Sequence, residues 1–412
     1  MQIAVIGVGK LGLCTAVCLA DAGYQVIGMD NREDHIEKLR SGRRPFFEKD
    51  LDDYFQRNRT AMRFTASLSE AIMESDASFI VVPTPSGGDG AFSHRFIHQI
   101  LKDASAILRA KASYHVVNIV STVMPGACND EFIPLLEKKS DKRVGEDIGL
   151  TYNPEFIAIG SVIRDFLNPD VVLIGESDKK SGGIIEAVYR RTSRNQPHIA
   201  RTSLINAEIA KLSINCFCTM KISFANNLGE ICDKTGGADA GRICEIIGHD
   251  SRIGGKYIKP GLGFGGPCFP RDNEAFLHFL EQVGGTPVLQ GAVVDINQRQ
   301  VGIAVGKIAR AAGEYGKCVA LLGMAYKPDT YLCERSQSVD IARRLAHERP
   351  DLDLRVYDPM AVCNGNWTTA ESLDACVDGA HVAAILTPWP EFYDRNWRFL
   401  MSVNRTVLDF WA

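Results

Sequence analysis

The chain has 412 residues, 45% hydrophobic and 23% charged, which suits two or three domains with ample cores and excludes disordered and fibrous classes. Lys and Arg number 46 against 50 Asp and Glu, a net charge of −4. That balance offers no general attraction for nucleic acid or an anionic membrane, so an anionic ligand must be held locally. The twelve cysteines contain no Cys-x-x-Cys pair and lie mostly in apolar segments, which argues against a disulfide framework or structural zinc and for a reducing compartment. Met1-Gln2 runs straight into an apolar strand, and no apolar run approaches the roughly 18 residues of a membrane span. A soluble cytoplasmic protein is expected.

From Ile3 to about Gly175, β-branched runs alternate with helical patterns: Ile3 to Gly7, Gln25 to Asp30, Ser78 to Pro83, His115 to Ser121 and Val171 to Gly175. The alternation predicts a parallel sheet covered by helices. Ser203 then caps a long apolar run through Leu204, Ile209, Leu212 and Phe217. If helical to about Lys234, it spans on the order of 50 Å and suits a connector that also packs against a second subunit. The alternation restarts with Cys318 to Gly323, a helix through Asp340 to Leu345, Leu354 to Tyr357, Val382 to Thr387 and Thr406 to Phe410. The expected fold is therefore α/β, with two Rossmann-like doubly wound domains (1–200 and 301–412) joined by a long central helical region (201–300).

Gly7-Val8-Gly9-Lys10-Leu11-Gly12 follows the first strand and opens a helix, and Asp30 ends the next strand. These glycines allow a tight turn, close approach of a pyrophosphate to backbone amides, and close helix packing. The alternative is a merely structural turn, but strand, helix and acid together favour a dinucleotide. Asp30 accepts from a ribose 2′-OH and repels a 2′-phosphate, which favours NAD over NADP, although Arg32 nearby weakens the discrimination. Gly323 echoes Gly7 without the second and third glycines and should not seat a second dinucleotide. The strand ends Val82-Pro83-Thr84-Pro85 and Ser121-Thr122-Val123-Met124-Pro125-Gly126 lie where such a sheet binds ligand, though prolines also simply end strands.

In Gly261-Leu262-Gly263-Phe264-Gly265-Gly266-Pro267-Cys268-Phe269-Pro270-Arg271-Asp272, four glycines in six residues let backbone approach a ligand. Cys268 precedes a helix starting near Pro270, a position that lowers a thiol pKa. Asp272 lies one turn on. Any one cysteine of twelve is usually a core filler, but the glycine flank and the acid favour a nucleophile here. Lys211 and Asn215 share one helix face with Glu208 adjacent, an arrangement able to hold an oxyanion; a Glu208–Lys211 surface pair is the equal alternative. His94 and His98, at helical spacing, lack any third ligand nearby and read as exposed or capping groups rather than a metal site.

With these motifs go Asn153-Pro154-Glu155-Phe156, Asp250-Ser251-Arg252-Ile253-Gly254, Lys327-Pro328-Asp329-Thr330 and Tyr357-Asp358-Pro359. In this order they resemble the UDP-glucose/GDP-mannose dehydrogenase family over essentially the whole chain, the UDP-glucose branch more than the GDP-mannose or UDP-N-acetylhexosamine branches. The resemblance implies two NAD-dependent oxidations of a sugar C6 alcohol to a carboxylate, UDP-glucose to UDP-glucuronate, in polysaccharide-precursor biosynthesis by a homodimer. It implies Cys268 as nucleophile, Asp272 as base, Lys211 and Asn215 on the oxyanion, and Glu155 with Thr122 ordering water. Gly7, Gly9, Lys10, Leu11, Gly12, Asp30, Thr84, Pro85, Ser121, Thr122 and Arg335 would serve NAD. Phe156, Arg252, Tyr257, Lys259, Gly263, Phe264, Gly265 and Lys327 would join Glu155, Lys211 and Asn215 on the UDP-sugar. The rivals are another nucleotide sugar as substrate and a turnover-deficient NAD-binding regulator.

Two positions depart from the family. Ile159 stands where a glutamate is usual, and Glu334-Arg335-Ser336 where Arg-Glu-Ser is usual. In the family both replaced side chains approach the nicotinamide cofactor. Arg335, displaced by one position, is expected either to restore a cofactor contact or to form only an exposed salt bridge.

Overall fold

Eight short runs in the first half become strands: β1 (Gln2–Ile6), β2 (Gln25–Met29), β3 (Met62–Thr65), β4 (Ala77–Ile80), β5 (His115–Ile119), β6 (Ile148–Tyr152), β7 (Val171–Glu176) and β8 (His198–Ser203). They form one sheet in the order β3-β2-β1-β4-β5-β6-β7-β8. Alternate side chains of β1 serve opposite faces: Ile3 and Val5 enter one core cluster, Ala4 and Ile6 the other. Burial on both faces explains the near-continuous apolar runs. β6 and β7 pair antiparallel, a departure from the all-parallel expectation. Three strands had weak signals. β3 exposes Arg63, β6 contains a glycine and Thr151, and the edge strand β8 is largely polar with exposed ends.

The computed structural model describes residues 1–157, 160–394, 397 and 405–411, in two units, Met1–Leu212 and Ser213–Ala412. A 29-residue helix, Leu204–Cys232, runs through the boundary, about 44 Å long at 1.5 Å per residue. In the second unit, helices Phe269–Gln282 and Val288–Tyr315 precede a sheet of β9 (Cys318–Leu322), β10 (Asp353–Tyr357), β11 (Thr368–Thr369), β12 (Val382–Ile385) and β13 (Thr406–Asp409). Its order is β11-β10-β9-β12-β13, and every pairing is parallel. The α/β class with two doubly wound sheets and a long central helix stands as read. Among the described residues no helix is long and apolar enough to cross a membrane. Cys333 and Cys363 form one disulfide, a bond that no local cysteine spacing signals. It is not a framework, but it tempers the reading of the cysteines as a fully reduced set.

The two sheets begin with the same turn. Gly7 N–H donates to Met29 O and Gly323 N–H to Tyr357 O, each at 2.7 Å, and both glycines have φ of +94°. They then diverge. In the second unit Asp358 Oδ2 accepts from the amides of Met324 (2.7 Å) and Ala325 (2.8 Å), while Oδ1 accepts from Met360 and Ala361. Trp389 Nε1 also donates to Oδ2. A carboxylate of the chain itself thus fills the amide cradle after Gly323, which gives the physical reason that this half should not seat a dinucleotide. Asp358→Ala should lower unfolding free energy by roughly 3 kcal/mol, the scale of two hydrogen bonds to a charged group. An unchanged melting temperature would show that water satisfies these amides equally well.

Candidate active site

In a doubly wound sheet the loops at the carboxyl ends of β1, β4 and β5 surround the point where strand order reverses, here between β1 and β4, and ligand binds there. The β1 loop divides its glycines by task. A Cβ on Gly7 would lie 2.2 Å from Val81 O and one on Gly12 2.0 Å from Gly7 O, whereas one on Gly9 would meet nothing within 4 Å. Gly7 and Gly12 are therefore needed by the protein's own packing, and Gly9 leaves open the approach a pyrophosphate requires. The helix Lys10–Asp21 starts immediately after it with no side-chain cap at Gly9, so first-turn amides, including those of Leu11 and Gly12, face that approach. Asp30 is buried and accepts from Arg32 Nε (2.9 Å), Nη2 and N. Arg32 is thus fixed beside the acid expected to read the ribose.

The β4 and β5 loops are tied together. Ser121 Oγ donates to Val82 O (2.7 Å) and accepts from Val82 N (2.9 Å), and Thr84 Oγ1 donates to Thr122 O (2.8 Å). Pro85 continues the β4 loop, its carbonyl accepting from Ser93 N. Glu208 completes the arrangement. It has no exposure, and its two carboxylate oxygens accept from Gly126 N (2.7 Å) and Cys128 N (2.9 Å). Burial pushes its carboxyl up and these amides pull it back. The surface-pair alternative for Glu208 and Lys211 is therefore wrong, because Lys211 is also buried and its ammonium donates to Glu155 O (2.6 Å).

Lys211 also stands 4.5 Å above the Phe156 ring centroid. Asn153 directly follows β6, its amide donating to Leu173 O (2.9 Å), which fixes the segment from which Glu155 and Phe156 project. Glu155 Oε1 accepts from Tyr189 Oη (2.6 Å). Desolvation pushes the Glu155 carboxyl up to about 7, against the Tyr189 hydroxyl and the Lys211 charge. Sequence reasoning missed Tyr189, which lies on a separate helix with no motif around it. His94 and His98 do have a third neighbour: Glu131 Oε2 lies 3.0 Å from His94 Nδ1 and 2.8 Å from His98 Nε2. The expectation that none was near is corrected. However, His94 Nε2 accepts from Met124 N (3.1 Å), so the neutral ring carries its proton on Nδ1, the nitrogen a metal would need.

In the second unit Cys268 caps the helix Phe269–Gln282, and Asp272 N donates to Cys268 O (2.8 Å). Cys268 and Asp272 are one turn apart, as expected. Cys268 is the exposed member of the ten free cysteines. Asp272 is buried, and its Oδ2 accepts from Asn215 Nδ2 (2.6 Å). Asn273, unflagged by sequence, donates to Thr219 Oγ1 (3.1 Å) and accepts from Gln290, anchoring this helix by a buried network. The glycine loop also serves the protein's own packing. A Cβ on Gly263 would collide with Asn297 and Gln337, one on Gly265 with Arg335 O (2.4 Å), and one on Gly266 with the Tyr326 ring. Gly263 N donates to Gln337 Oε1 and Phe264 N to Asn297 Oδ1, each at 2.7 Å. These glycines admit the protein's own chain. Burial raises the Tyr326 phenol, with Cys268 and Glu334 adding to the rise.

The remaining positions are more dispersed. Tyr257, exposed and left-handed at φ 64°, packs edge-on against Phe269 at 5.9 Å, and Phe264 meets Phe269 at 6.3 Å. Lys259 is exposed, and Lys327 is half-buried with its ammonium 5.9 Å from the Tyr326 ring centroid. Arg252 is exposed and forked onto Asp250. Arg335 Nη1 pairs with Glu274 Oε1 (2.7 Å) on the surface. A cavity of about 550 Å³ beside it is lined by Phe264, Asn273, Asn297 and Gln337; neither Cys268 nor Asp272 lines it. Glu334 is exposed, and Ile159 lies outside the described residues. For the cofactor site, Asp30→Ala should release Arg32 and raise kcat/KM with NADP relative to NAD, and adding Arg32→Ala should reverse the gain. An unaltered cofactor ratio in Asp30→Ala would remove Asp30 as the discriminating charge.

Comparison with known proteins agrees with this geometry. The profile described as UDP-glucose/GDP-mannose dehydrogenase family, NAD binding domain, matches residues 1–193; the family's central domain matches 205–299 and its UDP binding domain 320–412. The UDP-glucose 6-dehydrogenase AglM of Haloferax volcanii is 33% identical, covering 99% of this chain and 96% of its own. The GDP-mannose 6-dehydrogenase of Pseudomonas aeruginosa is 32% identical over 87% of this chain and 81% of its own. Among solved structures, a UDP-glucose dehydrogenase from Pyrobaculum islandicum superposes with a TM-score of 0.90 at 31% identity, covering 100% of this chain and 94% of its own. Its first unit binds NAD, and the chain belongs to the UDP-glucose/GDP-mannose dehydrogenase family.

Proposed function

We propose that this NAD-dependent nucleotide-sugar dehydrogenase oxidises UDP-glucose at C6 to UDP-glucuronate. The observation that carries the chemistry is Cys268, the exposed thiol at a helix N-terminus, one turn before an Asp272 carboxylate gripped by Asn215. The choice of sugar is supported by the Asp250–Gly254 and Gly265–Pro270 motifs and by the relatives named for UDP-glucose. The GDP-mannose relative at 32% identity keeps a different nucleotide sugar as the second reading.

Bound NAD supplies the hydride acceptor for both oxidations. Asp272 takes the alcohol proton, through an ordered water, while the Lys211 ammonium and the Asn215 amide stabilise the alkoxide. The Cys268 thiolate then adds to the aldehyde carbon as a thiohemiacetal, whose second oxidation leaves a thioester. Water attacks the thioester carbon, the C–S bond breaks, and carboxylate and thiolate separate. Glu155 accepts the water's proton and Thr122 orders that water. Lys327 and Lys259 hold the diphosphate, with Arg252, Tyr257, Phe156 and the Gly263–Gly265 loop on the remainder of the substrate. Ile214, Phe217, Phe224 and Ile231 lie exposed along the helix Leu204–Cys232, a stripe that a second copy of the chain would cover.

Assayed with a panel of nucleotide sugars, the enzyme should prefer UDP-glucose and form two NADH per sugar. One NADH per sugar, or no turnover with any UDP-hexose, rejects the reading. Cys268→Ala should abolish acid formation, whereas Lys211→Ala should slow both oxidations.

With its carboxyl near 7, Glu155 gains charge as pH rises through neutrality. Below that point it is mostly protonated and cannot accept a proton from water. Thioester hydrolysis should therefore climb about tenfold per pH unit below 7 and level off above it. In Glu155→Gln the limb should vanish and the Cys268 adduct should accumulate, detectable by intact mass after acid quench. A wild-type limb persisting in that variant would assign the base elsewhere.

A further inference from the structure

We propose that His94 is a positioning residue for the cofactor-side loop 121–128, its neutral ring acting as the fixed acceptor that sets the backbone beyond Thr122. The loop follows β5, at the carboxyl edge of the sheet where the dinucleotide binds. Three side chains and one backbone amide from three other segments grip it within eight residues. Val82 N and Thr84 Oγ1 hold its start, His94 Nε2 takes Met124 N, and Glu208 takes Gly126 N and Cys128 N. Of these, only the His94 bond depends on which ring nitrogen carries the proton.

The tautomer is set from the other side of the ring. Glu131 Oε2 lies 3.0 Å from Nδ1 and accepts its proton, so Nε2 is left as an acceptor aimed at the Met124 amide. The ring itself is buried and packed edge-on against Phe132 at 5.4 Å, which prevents a flip that would exchange the two nitrogens. Removing the acceptor would leave the Met124 N–H without its partner, so the loop would lose its central anchor while the ends stay tied.

The inference rests on NAD binding at this sheet edge but not on the sugar or the thioester chemistry, so NAD affinity measured without substrate tests it separately. Calorimetric titration with NAD would compare wild type, His94→Gln and His94→Leu. His94→Gln keeps an acceptor for the Met124 amide and should bind NAD near the wild-type affinity. His94→Leu removes the acceptor and should bind about fivefold more weakly, the factor one lost neutral hydrogen bond typically carries. Equal affinities for the Gln and Leu variants would overturn the proposal. If His94→Leu does not fold, His94→Ala, which also lacks an acceptor, takes its place in the same comparison.

Discussion

A carboxylate with no solvent exposure organises the first unit. Glu208 sits in an otherwise apolar stretch of helix, where an unsatisfied charge would be intolerable, and it is held by the amides of Gly126 and Cys128. Those two bonds couple the register of the helix to the loop after β5. Three residues later on the same face, Lys211 therefore falls on the Glu155 carbonyl and over the Phe156 ring. Glu155 is in turn shaped by that ammonium and by Tyr189, two stabilising neighbours that only partly offset its desolvation. The same helix continues to Asn215, whose amide grips Asp272 in the second unit. One helix register thus serves an acid poised near neutrality, a buried ammonium and an amide on a second carboxylate.

What the sequence made legible was whatever has a local period or a local spacing. The strands of the central sheet, the long helix and its Ser203 start, the dinucleotide glycines and the Cys268–Asp272 turn are all encoded within a few residues. What stayed hidden is what meets only in three dimensions. Glu131 completes a cluster with His94 from 37 residues away, Tyr189 reaches Glu155 across 34, and Cys333 bonds Cys363 across 30. Glu208 was visible as a residue but not as a role, because its partners are backbone amides, which any sequence supplies. The glycine loop before Cys268 was legible only in part for a related reason. A glycine signals that something approaches closely, but not whether that thing is a ligand or the protein itself.

The two sheets show how one turn geometry supports opposite uses. After Gly7 the amides at the start of the helix face an open approach, and Asp30 at the end of β2 turns to Arg32. After Gly323 the equivalent amides are already satisfied by Asp358, which directly follows β10. The position after the second strand is acidic in both halves. In one it binds Arg32 and in the other it fills the amide cradle itself. A pyrophosphate entering the second cradle would have to displace a carboxylate with five donors, so the glycine echo in the sequence marks common architecture rather than common binding.

The same reasoning bears on the displaced arginine. At 334–336 this chain reads Glu-Arg-Ser, and the Arg335 guanidinium is spent on Glu274 at the surface. What the Cys268 loop takes from this segment is backbone: a Cβ on Gly265 would strike Arg335 O at 2.4 Å and pass within 3.6 Å of Ser336 Cα. Backbone contacts are indifferent to the order of the side chains around them, provided the chain can adopt the path. Arg335 adopts it with φ of 49°, a left-handed conformation that carries some cost for a non-glycine residue. Exchanging the arginine and glutamate therefore alters what the segment shows to solvent, while the surface on which the nucleophile's loop rests is preserved.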